Sequence, residues 1–224
     1  MSAFADRAAA GSELAGKLRS YADRRDALVL GLARGGVPVA CEVAHALGLQ
    51  LDVFLVRKLG VPGHEELAMG AIASGGVRVM NDEVVAALEL SDEEIDAVTE
   101  RERDELDRRE RAYRDGRAAA PVDGRTAILV DDGLATGASM RAAVRALKRR
   151  EAATIVVAVP IAPPQACAEF DDEADAVVCA HTPEPFGSVS HWYDDFAGTG
   201  GGELPRAAAT PAVRSRRPRD RAPR

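Results

Sequence analysis

Residues Thr126–Met140 have the sequence TAILVDDGLATGASM, and this stretch decides the fold that we expect. It begins with an unbroken aliphatic run, which is typical of a parallel strand covered on both faces. Two acids follow at the end of the strand, where open α/β sheets place their ligands. A loop of small residues and hydroxyls then opens a helix, an arrangement that suits phosphate. The stretch therefore predicts a sugar-phosphate site, with carboxylates for hydroxyls beside a backbone nest for phosphate.

A strand–loop–helix unit earlier in the chain predicts the rest of a parallel sheet. Ala27–Leu32 is a short apolar run that is predicted to form the first strand. Ala33–Gly36 follows it and opens a predicted helix over Val37–Leu47. Leu51–Val56 is the next apolar run and the second predicted strand. A strand, a helix and a strand in this order imply a parallel pair joined by a right-handed crossover.

The remaining chain continues as further predicted elements. A glycine-rich turn predicts a hairpin within a loop over Lys58–Gly76. A capping box at Ser91 begins a long charged helix to about Arg114. Its thin apolar stripe predicts a protruding helix with a solvated face, and a homodimer contact is the alternative: Ile95, Val98, Leu106 and Tyr113. Other helices are predicted at Ala3–Arg24, Ala138–Arg150 and Pro163–Phe170, and other strands at Thr154–Pro160 and Asp175–Cys179.

The formal net charge of −7 is unevenly distributed. Seven arginines and two acids give Glu203–Arg224 a charge of +5, which leaves about −12 for the rest of the chain. An acidic body is a poor general surface for nucleic acid. The arginine-rich segment can contact phosphates, but it is short and has no aromatic residues for stacking. Nucleic-acid binding is therefore disfavoured, and the tail over residues 198–224 is expected to be disordered.

The cysteines and the hydropathy pattern bear on the compartment. Cys41, Cys167 and Cys179 lie in apolar contexts without metal-ligand spacing. They are therefore predicted to be reduced core residues of a cytosolic protein. No apolar run approaches bilayer length, and the N-terminus has no signal-peptide pattern. Together these features predict a soluble, cytoplasmic protein that does not bind membranes.

The strand, the acid pair and the Thr-Gly turn resemble the PRPP-binding loop of type I phosphoribosyltransferases (PRPP is phosphoribosyl pyrophosphate). Gly133 departs from the pattern, because an aliphatic residue is usual there. The resemblance extends from about Ala5 to Phe196 and is closest to a bacterial and archaeal group without an assigned base. It implies an α/β fold with a mostly parallel central sheet flanked by helices, a helical insertion over about 81–116 and a small C-terminal hood. The whole domain is expected to span residues 1–197.

The resemblance assigns the parts of PRPP to three groups of residues. The ribose hydroxyls are expected at Asp131 and Asp132. The 5′-phosphate is expected at a nest formed by Ala135, Thr136, Gly137, Ala138 and Ser139. Pyrophosphate is expected at Arg34, Gly35 and Gly36, in a loop where the wider fold often has a non-proline cis peptide. Mg²⁺ bound to PRPP is the implied cofactor; it has no direct protein ligand, and an acid of the pair would reach it through water.

Two further catalytic residues are implied, one where the chain continues from the second predicted strand and one on a loop that closes over the reaction. Arg57 and Lys58 alternate in direction along a strand, and Lys58 is favoured as the one directed at pyrophosphate. Val61–Leu67 corresponds to the flexible loop of related enzymes, since Gly and Pro flanking a polar centre suit a lid. In it, His64 is a candidate proton carrier, and Glu66 a candidate for Mg²⁺-bound water or a substrate amine. The predicted catalytic set is Asp131, Asp132, Lys58 and Glu66.

Aromatic residues gather near the C-terminal end of the predicted sheet. Phe186, Trp192 and Tyr193 are expected in the hood, which in this fold covers the base, often with a stacked aromatic ring. Phe186 and Trp192 are therefore the predicted acceptor-binding residues. A hydrophobic lid packed on the core is the alternative for two of the three.

The predicted function is transfer of the 5-phosphoribosyl group from PRPP to a nitrogenous acceptor, with release of pyrophosphate. The partners would be small molecules, PRPP and a nucleobase, and the acceptor is left open. The alternative is a regulatory protein of the same fold that binds PRPP or a nucleotide without catalysis. Such a sensor needs the nest and the acid pair but not Lys58, His64 or Glu66.

Overall fold

The computed structural model describes residues 3–197. Its strands are β1 (Ala27–Leu32), β2 (Gln50–Phe54), β3 (Val56–Val61), β4 (His64–Ala73), β5 (Val77–Met80), β6 (Thr126–Val130), β7 (Thr154–Ile161) and β8 (Ala176–His181). Its α-helices are α1 (Arg7–Lys17), α2 (Gly36–Leu47), α3 (Asp82–Ala87), α4 (Asp92–Arg114), α5 (Ala138–Arg149) and α6 (Pro164–Ala168). Short 3₁₀ helices lie at Arg19–Tyr21 and Val189–Trp192. The predicted disorder of residues 198–224 concerns a part of the chain outside the described residues.

A five-stranded parallel sheet forms the centre, in the order β2-β1-β6-β7-β8. This confirms the predicted α/β class. β1 and β6 are buried throughout, as their unbroken apolar sequences require. The order in which strands are added to the sheet reverses at β1, because β2 lies on one side of β1 and β6, β7 and β8 extend from the other side. Their carboxyl ends therefore flank the crevice where open α/β sheets bind ligands.

Helices cover both faces of the central sheet. On one face, α1 and α2 pack against the sheet through buried aliphatic side chains, among them Leu14, Val43 and Ile128. On the other face, α5 packs through Met140, Val144 and Leu147. Apolar residues spaced three and four apart along α5 form the stripe that this packing buries. The sheet thus holds its loops between two fixed helical layers.

The N-terminal helix is shorter than the predicted Ala3–Arg24. It begins at Arg7, because the side chain of Asp6 caps it by accepting a hydrogen bond from Ala9 N at 2.8 Å. The residues before the cap run beside the C-terminal segment instead. Phe4 pairs with Tyr193 in a parallel bridge, and its carbonyl accepts from Asp194 N at 2.9 Å. The two ends of the domain therefore meet over the sheet.

A second, antiparallel sheet has the order β3-β4-β5. The chain enters it at Leu55, whose N–H donates to Ser74 Oγ and whose carbonyl accepts from Ser74 N, both at 2.9 Å. Val61–Leu67 is thus not an irregular loop: β3 and β4 form a hairpin that turns at Pro62 and Gly63. Gly63 has a φ of 76°, which a glycine adopts without strain.

The long charged helix α4 packs on this second sheet through its thin apolar stripe. Ile95, Val98 and Leu106 are buried in a cluster with residues of β3 and β4. Arg57 turns toward the helix and donates to Glu102 from both Nε and Nη2. The capping box predicted at Ser91 is present. The insertion is therefore anchored along its length, and its remaining charged face is exposed.

The prediction of three reduced cysteines was wrong for two of them. Cys167 of α6 and Cys179 of β8 form a disulfide, with their Cα atoms 6.7 Å apart. The twelve-residue spacing between the two cysteines in the sequence did not indicate a disulfide, because the two thiols meet only when α6 lies beside β8. Cys41 is a free, half-buried thiol whose pKa is raised by burial. The cysteines thus give no support to a reducing compartment. Within residues 3–197, no helix combines the length and the hydropathy required to cross a bilayer.

Candidate functional site

The loops after β1 and β6 meet at one edge of the central sheet and enclose a cleft of about 360 Å³. The register of the two strands makes this necessary, since Gly31 pairs with Val130 and both strands end within a residue of that pair. The cleft is lined by residues from both loops, from α1 and from the C-terminal segment: Arg7, Leu32, Ala33, Arg34, Gly35, Val56, Asp131, Asp132, Ser139 and Phe196. The predicted pyrophosphate loop and acid pair are thus brought together.

The acid pair lies at the floor of the cleft with its two carboxylates in different surroundings. Asp131 Oδ1 accepts from the N–H of Asp132 at 2.8 Å. Burial, and then the neighbouring Asp132 charge, raise the pKa of Asp131 well above its usual range. Asp132 instead forms an ion pair at 2.8 Å with Arg7, in which the two side chains are 8% and 14% exposed. Asp132 is therefore paired with a cation, whereas the surroundings of Asp131 disfavour its charged form.

The loop after β1 approaches this pair closely because two of its residues are glycines. A methyl group on Gly35 would overlap the Asp132 carboxylate. A methyl group on Gly36 would overlap the Val130 carbonyl and lie 2.6 Å from Asp131 Cα. Gly35 has an ordinary φ of −61°, so close approach, and not unusual backbone angles, explains why it must be glycine. The Ala33–Arg34 peptide bond is cis, as the resemblance implied.

The predicted phosphate nest lies at the start of α5. Gly137 precedes the helix with a φ of 70°, and its carbonyl accepts from Arg141 N at 2.8 Å to close the first turn. Thr136 and Ser139 are exposed there, beside the backbone N–H groups of the first turn. Such a helix start favours an anion. Among the five nest residues, Ser139 also lines the cleft, so the nest and the acid pair border the same space.

Arg7 is a site residue that the sequence did not indicate. Its Nε donates to Asp132 Oδ2 at 2.8 Å, its Nη2 forms an ion pair with the same oxygen at 2.8 Å, and its Nη1 donates to the Phe196 carbonyl at 2.8 Å. The guanidinium carbon also lies 4.0 Å from the centre of the Phe196 ring. Arg7 had no local signal in the sequence, because the helix predicted over Ala3–Arg24 placed it inside the helix, whereas the structure begins the helix at this residue.

The hood meets the site through residues other than those predicted to bind the acceptor. Trp192 Nε1 donates to the Phe186 carbonyl at 2.8 Å, and both side chains pack beside Phe4, outside the cleft lining. Phe196 is the aromatic residue that lines the cleft. Tyr193 is buried, and its hydroxyl donates to the Asp132 carbonyl at 2.5 Å. Burial, and then the Asp132 charge, raise the pKa of this tyrosine.

Lys58 and Glu66 face each other across the β3–β4 hairpin, outside the cleft lining. Lys58 Nζ donates to the Glu66 carbonyl at 3.2 Å and lies 3.9 Å from the Glu66 carboxylate. Both side chains are exposed, Glu66 fully. Arg57 points away from Lys58 and is committed to Glu102. Of the two neighbouring basic residues, Lys58 is thus the one that remains available to a ligand.

The glycine at position 133 makes room for the hood. A methyl group there would lie 2.5 Å from Val189 Cγ1 and 2.9 Å from Ile161 Cγ2. The departure from the usual aliphatic residue therefore has a packing cause.

We expect Gly133→Val to lower the free energy of unfolding by about 1–3 kcal/mol, because it overpacks this contact. Chemical denaturation would measure the loss. Adding Val189→Ala should restore part of it, since the two sites are in contact. If Gly133→Val were as stable as the unmodified chain, the hood would not be held by this contact.

The site offers few ligands for a metal. Residues 3–197 contain no group of three or more His, Cys, Asp and Glu side chains arranged to hold a metal ion. The acid pair alone fits Mg²⁺, which commonly keeps several waters and binds through one or two carboxylates together with substrate phosphates. Asp131 and Asp132 are thus the side chains that would reach Mg²⁺ brought by a phosphorylated substrate.

Comparisons with known proteins agree with this geometry. The family model described as "Phosphoribosyl transferase domain" matches residues 3–196. A protein named "Putative phosphoribosyl transferase" in Mycobacterium tuberculosis strains CDC 1551 and H37Rv is 47% identical over 204 residues, which is 91% of this chain and 46% of the relative. The chain thus spans about half the length of these curated relatives.

One solved structure resembles the chain over nearly its whole length. The crystal structure of TT1426 from Thermus thermophilus is 41% identical and has a TM-score of 0.76. The match covers 89% of this chain and 94% of that one. Because the family model matches residues 3–196, which include the two loops, the acid pair and the hood, the chain belongs to the phosphoribosyl transferase domain family.

Proposed function

We propose that the chain transfers the 5-phosphoribosyl group of PRPP to a nitrogenous acceptor, a nucleobase by preference, and releases pyrophosphate. The observation that carries this proposal is the contact between Gly35–Gly36 and the acid pair. It places backbone N–H groups and Arg34 on one side of a cleft and two carboxylates on the other. A ligand that fills this cleft needs hydroxyls near an anionic group, and PRPP has both.

In this proposal each part of the cleft has one task. Asp131 and Asp132 accept hydrogen bonds from the ribose hydroxyls, and the 5′-phosphate lies in the nest over residues 135–139. Positive charge grows on the ribose ring as the bond to pyrophosphate breaks, and the nearby acid pair stabilises it. Arg34 and the loop amides bind the departing pyrophosphate. Mg²⁺ bound with PRPP would neutralise charge on the leaving group.

A pyrophosphate-release assay tests this function directly. The chain would be incubated with PRPP, Mg²⁺ and each base of a panel comprising adenine, guanine, hypoxanthine, uracil and orotate. We expect release with one base or a few related ones, and a rise in melting temperature with PRPP alone. No release with any base, together with no thermal shift, would refute both PRPP binding and transfer.

A PRPP sensor is the second candidate, and the position of Lys58 and Glu66 favours it. Both are exposed on the hairpin and outside the cleft lining, so transfer requires the hairpin to close over the ligand. A sensor needs no such closure, because the acid pair, the nest and the glycine loop already border the cleft.

Lys58→Ala separates the two candidates. If the chain is an enzyme that closes its hairpin, we expect turnover to fall by roughly 10²-fold or more, since a cation that stabilises the leaving group is lost. PRPP affinity should change much less, as measured by isothermal titration calorimetry. Lys17→Ala, at an exposed position of α1, is the matched control. Unchanged turnover in Lys58→Ala would contradict a catalytic role for the hairpin.

A further inference from the structure

Residues from both ends of the domain contact the same site residue, Asp132. From the N-terminal helix, Arg7 reaches its carboxylate with a hydrogen bond from Nε and an ion pair through Nη2. From the C-terminal segment, Tyr193 donates its hydroxyl to the carbonyl of the same residue. Neither contact forms unless residues 3–7 lie beside residues 192–196, as the bridge between Phe4 and Tyr193 arranges.

Arg7 is itself fixed in place, which distinguishes it from a side chain free to follow a ligand. All three of its guanidinium nitrogens are engaged, Nε and Nη2 on Asp132 and Nη1 on the Phe196 carbonyl. The Phe196 ring covers one face of the guanidinium. The Arg7 side chain is 8% exposed. A planar cation held in this way sets the orientation of its carboxylate partner.

The geometry of the Arg7–Asp132 pair leaves Asp132 able to bind a ligand. Both Arg7 contacts are to Oδ2 of Asp132. Within residues 3–197, no N–H group donates to Oδ1, so this oxygen can accept a hydroxyl from a ligand beside the Asp131 carboxyl group.

On these grounds we propose that Arg7 is a positioning residue for the ribose-binding acid. It orients Asp132 and presents Oδ1 to a sugar hydroxyl. This inference rests on the proposed function, because it assumes a ribose phosphate as the ligand.

The test compares Arg7→Met with the unmodified chain in binding both ribose 5-phosphate and PRPP with Mg²⁺, by isothermal titration calorimetry. Methionine keeps much of the packing of the arginine stem but removes the charge and the N–H groups. We expect both ligands to bind at least roughly tenfold more weakly. The affinity of Arg7→Lys should lie between those of the unmodified chain and Arg7→Met, because lysine keeps the positive charge but lacks the planar guanidinium N–H groups. Arg25→Met, at an exposed position, is the control and should bind normally.

Rescue by the conservative variant distinguishes positioning from packing alone. Arg7→Lys restores a cation that can pair with Asp132, whereas Arg7→Met restores only packing. We therefore expect tighter ligand binding by Arg7→Lys than by Arg7→Met, and equal affinity in the two variants would contradict positioning.

Several outcomes overturn the inference. Unchanged affinity in Arg7→Met refutes it, and tighter binding would mean that Arg7 competes with the ribose for Asp132. If Arg7→Met does not fold, Arg7→Lys and Tyr193→Phe take its place, and normal affinity in both refutes positioning. If the unmodified chain binds ribose 5-phosphate but not PRPP, the transfer function fails and the comparison proceeds with ribose 5-phosphate. If it binds neither, both proposals fail.

Discussion

Replacing both acids by amides, as Asp131→Asn/Asp132→Asn, should lower the affinity for PRPP by on the order of 100-fold or more. The change removes the negative charge of the pair and so weakens its hydrogen bonds to the ribose hydroxyls, and a hydrogen bond to a charged group contributes about 1.5–3 kcal/mol. Calorimetric titration with PRPP and Mg²⁺ measures the change. The loss is expected whether the chain is an enzyme or a sensor, because both depend on the same site.

The chain contains a second adjacent acid pair that serves as the control. Asp171 and Asp172 are exposed after α6, so Asp171→Asn/Asp172→Asn makes the same change in charge away from the cleft. This control should bind PRPP normally. If it lost affinity as strongly as the acid-pair variant, the effect would come from net charge, and the cleft would not be the PRPP site.

The single variants of the acid pair should differ in stability. The pKa of Asp131 is raised by burial and by the Asp132 charge, so ionised Asp131 opposes folding at neutral pH. This cost grows as the pH rises above the unfolded-state pKa, and Asp131→Asn removes it. Asp132→Asn instead leaves the Arg7 guanidinium without its anionic partner, which destabilises the folded state. At pH 7, the melting temperature of Asp131→Asn should therefore be higher than that of Asp132→Asn.

The central part of the site could be predicted because its signals are local. The strand over Thr126–Val130, the acids directly after it and the helix start all lie within fifteen consecutive residues. Periodicity identifies the strand, and the position of the acids at its end then follows from the sheet. The loop over Ala33–Gly36 could be predicted for the same reason, and β1 placed it opposite the acids.

The missed features depend on contacts between distant parts of the chain. Arg7 and Asp132 are 125 positions apart, and nothing local distinguishes this arginine from others on charged helices. The disulfide between Cys167 and Cys179 likewise requires the path of α6 beside β8. The hairpin at Val61–Leu67 was expected to be a loop because its Pro-Gly turn and polar residues have little strand propensity. Its pairing comes from β3 and from the second sheet as a whole.

The sharpest test of how the cleft is built is Gly36→Ala. Its methyl group would overlap the Val130 carbonyl and crowd Asp131 Cα at 2.6 Å, and both are backbone atoms that cannot rotate away. The loop after β1 must then move off β6. We expect the free energy of unfolding to fall by about 2–3 kcal/mol, which lowers the melting temperature by roughly 4–12 °C. PRPP binding should become at least tenfold weaker.

Gly16→Ala supplies the matched comparison, because a methyl group at that position of α1 has no atom within 4 Å. It should leave PRPP binding unchanged and raise stability by up to about 1 kcal/mol, since alanine is favoured over glycine in a helix. Differential scanning calorimetry and titration with PRPP on both variants make the comparison. If Gly36→Ala melted and bound like the unmodified chain, the approach of the glycine loop to the acid pair would not be what forms the cleft. The proposed pyrophosphate site would then lose its structural basis, because only that approach brings Arg34 and the loop amides opposite the ribose-binding acids.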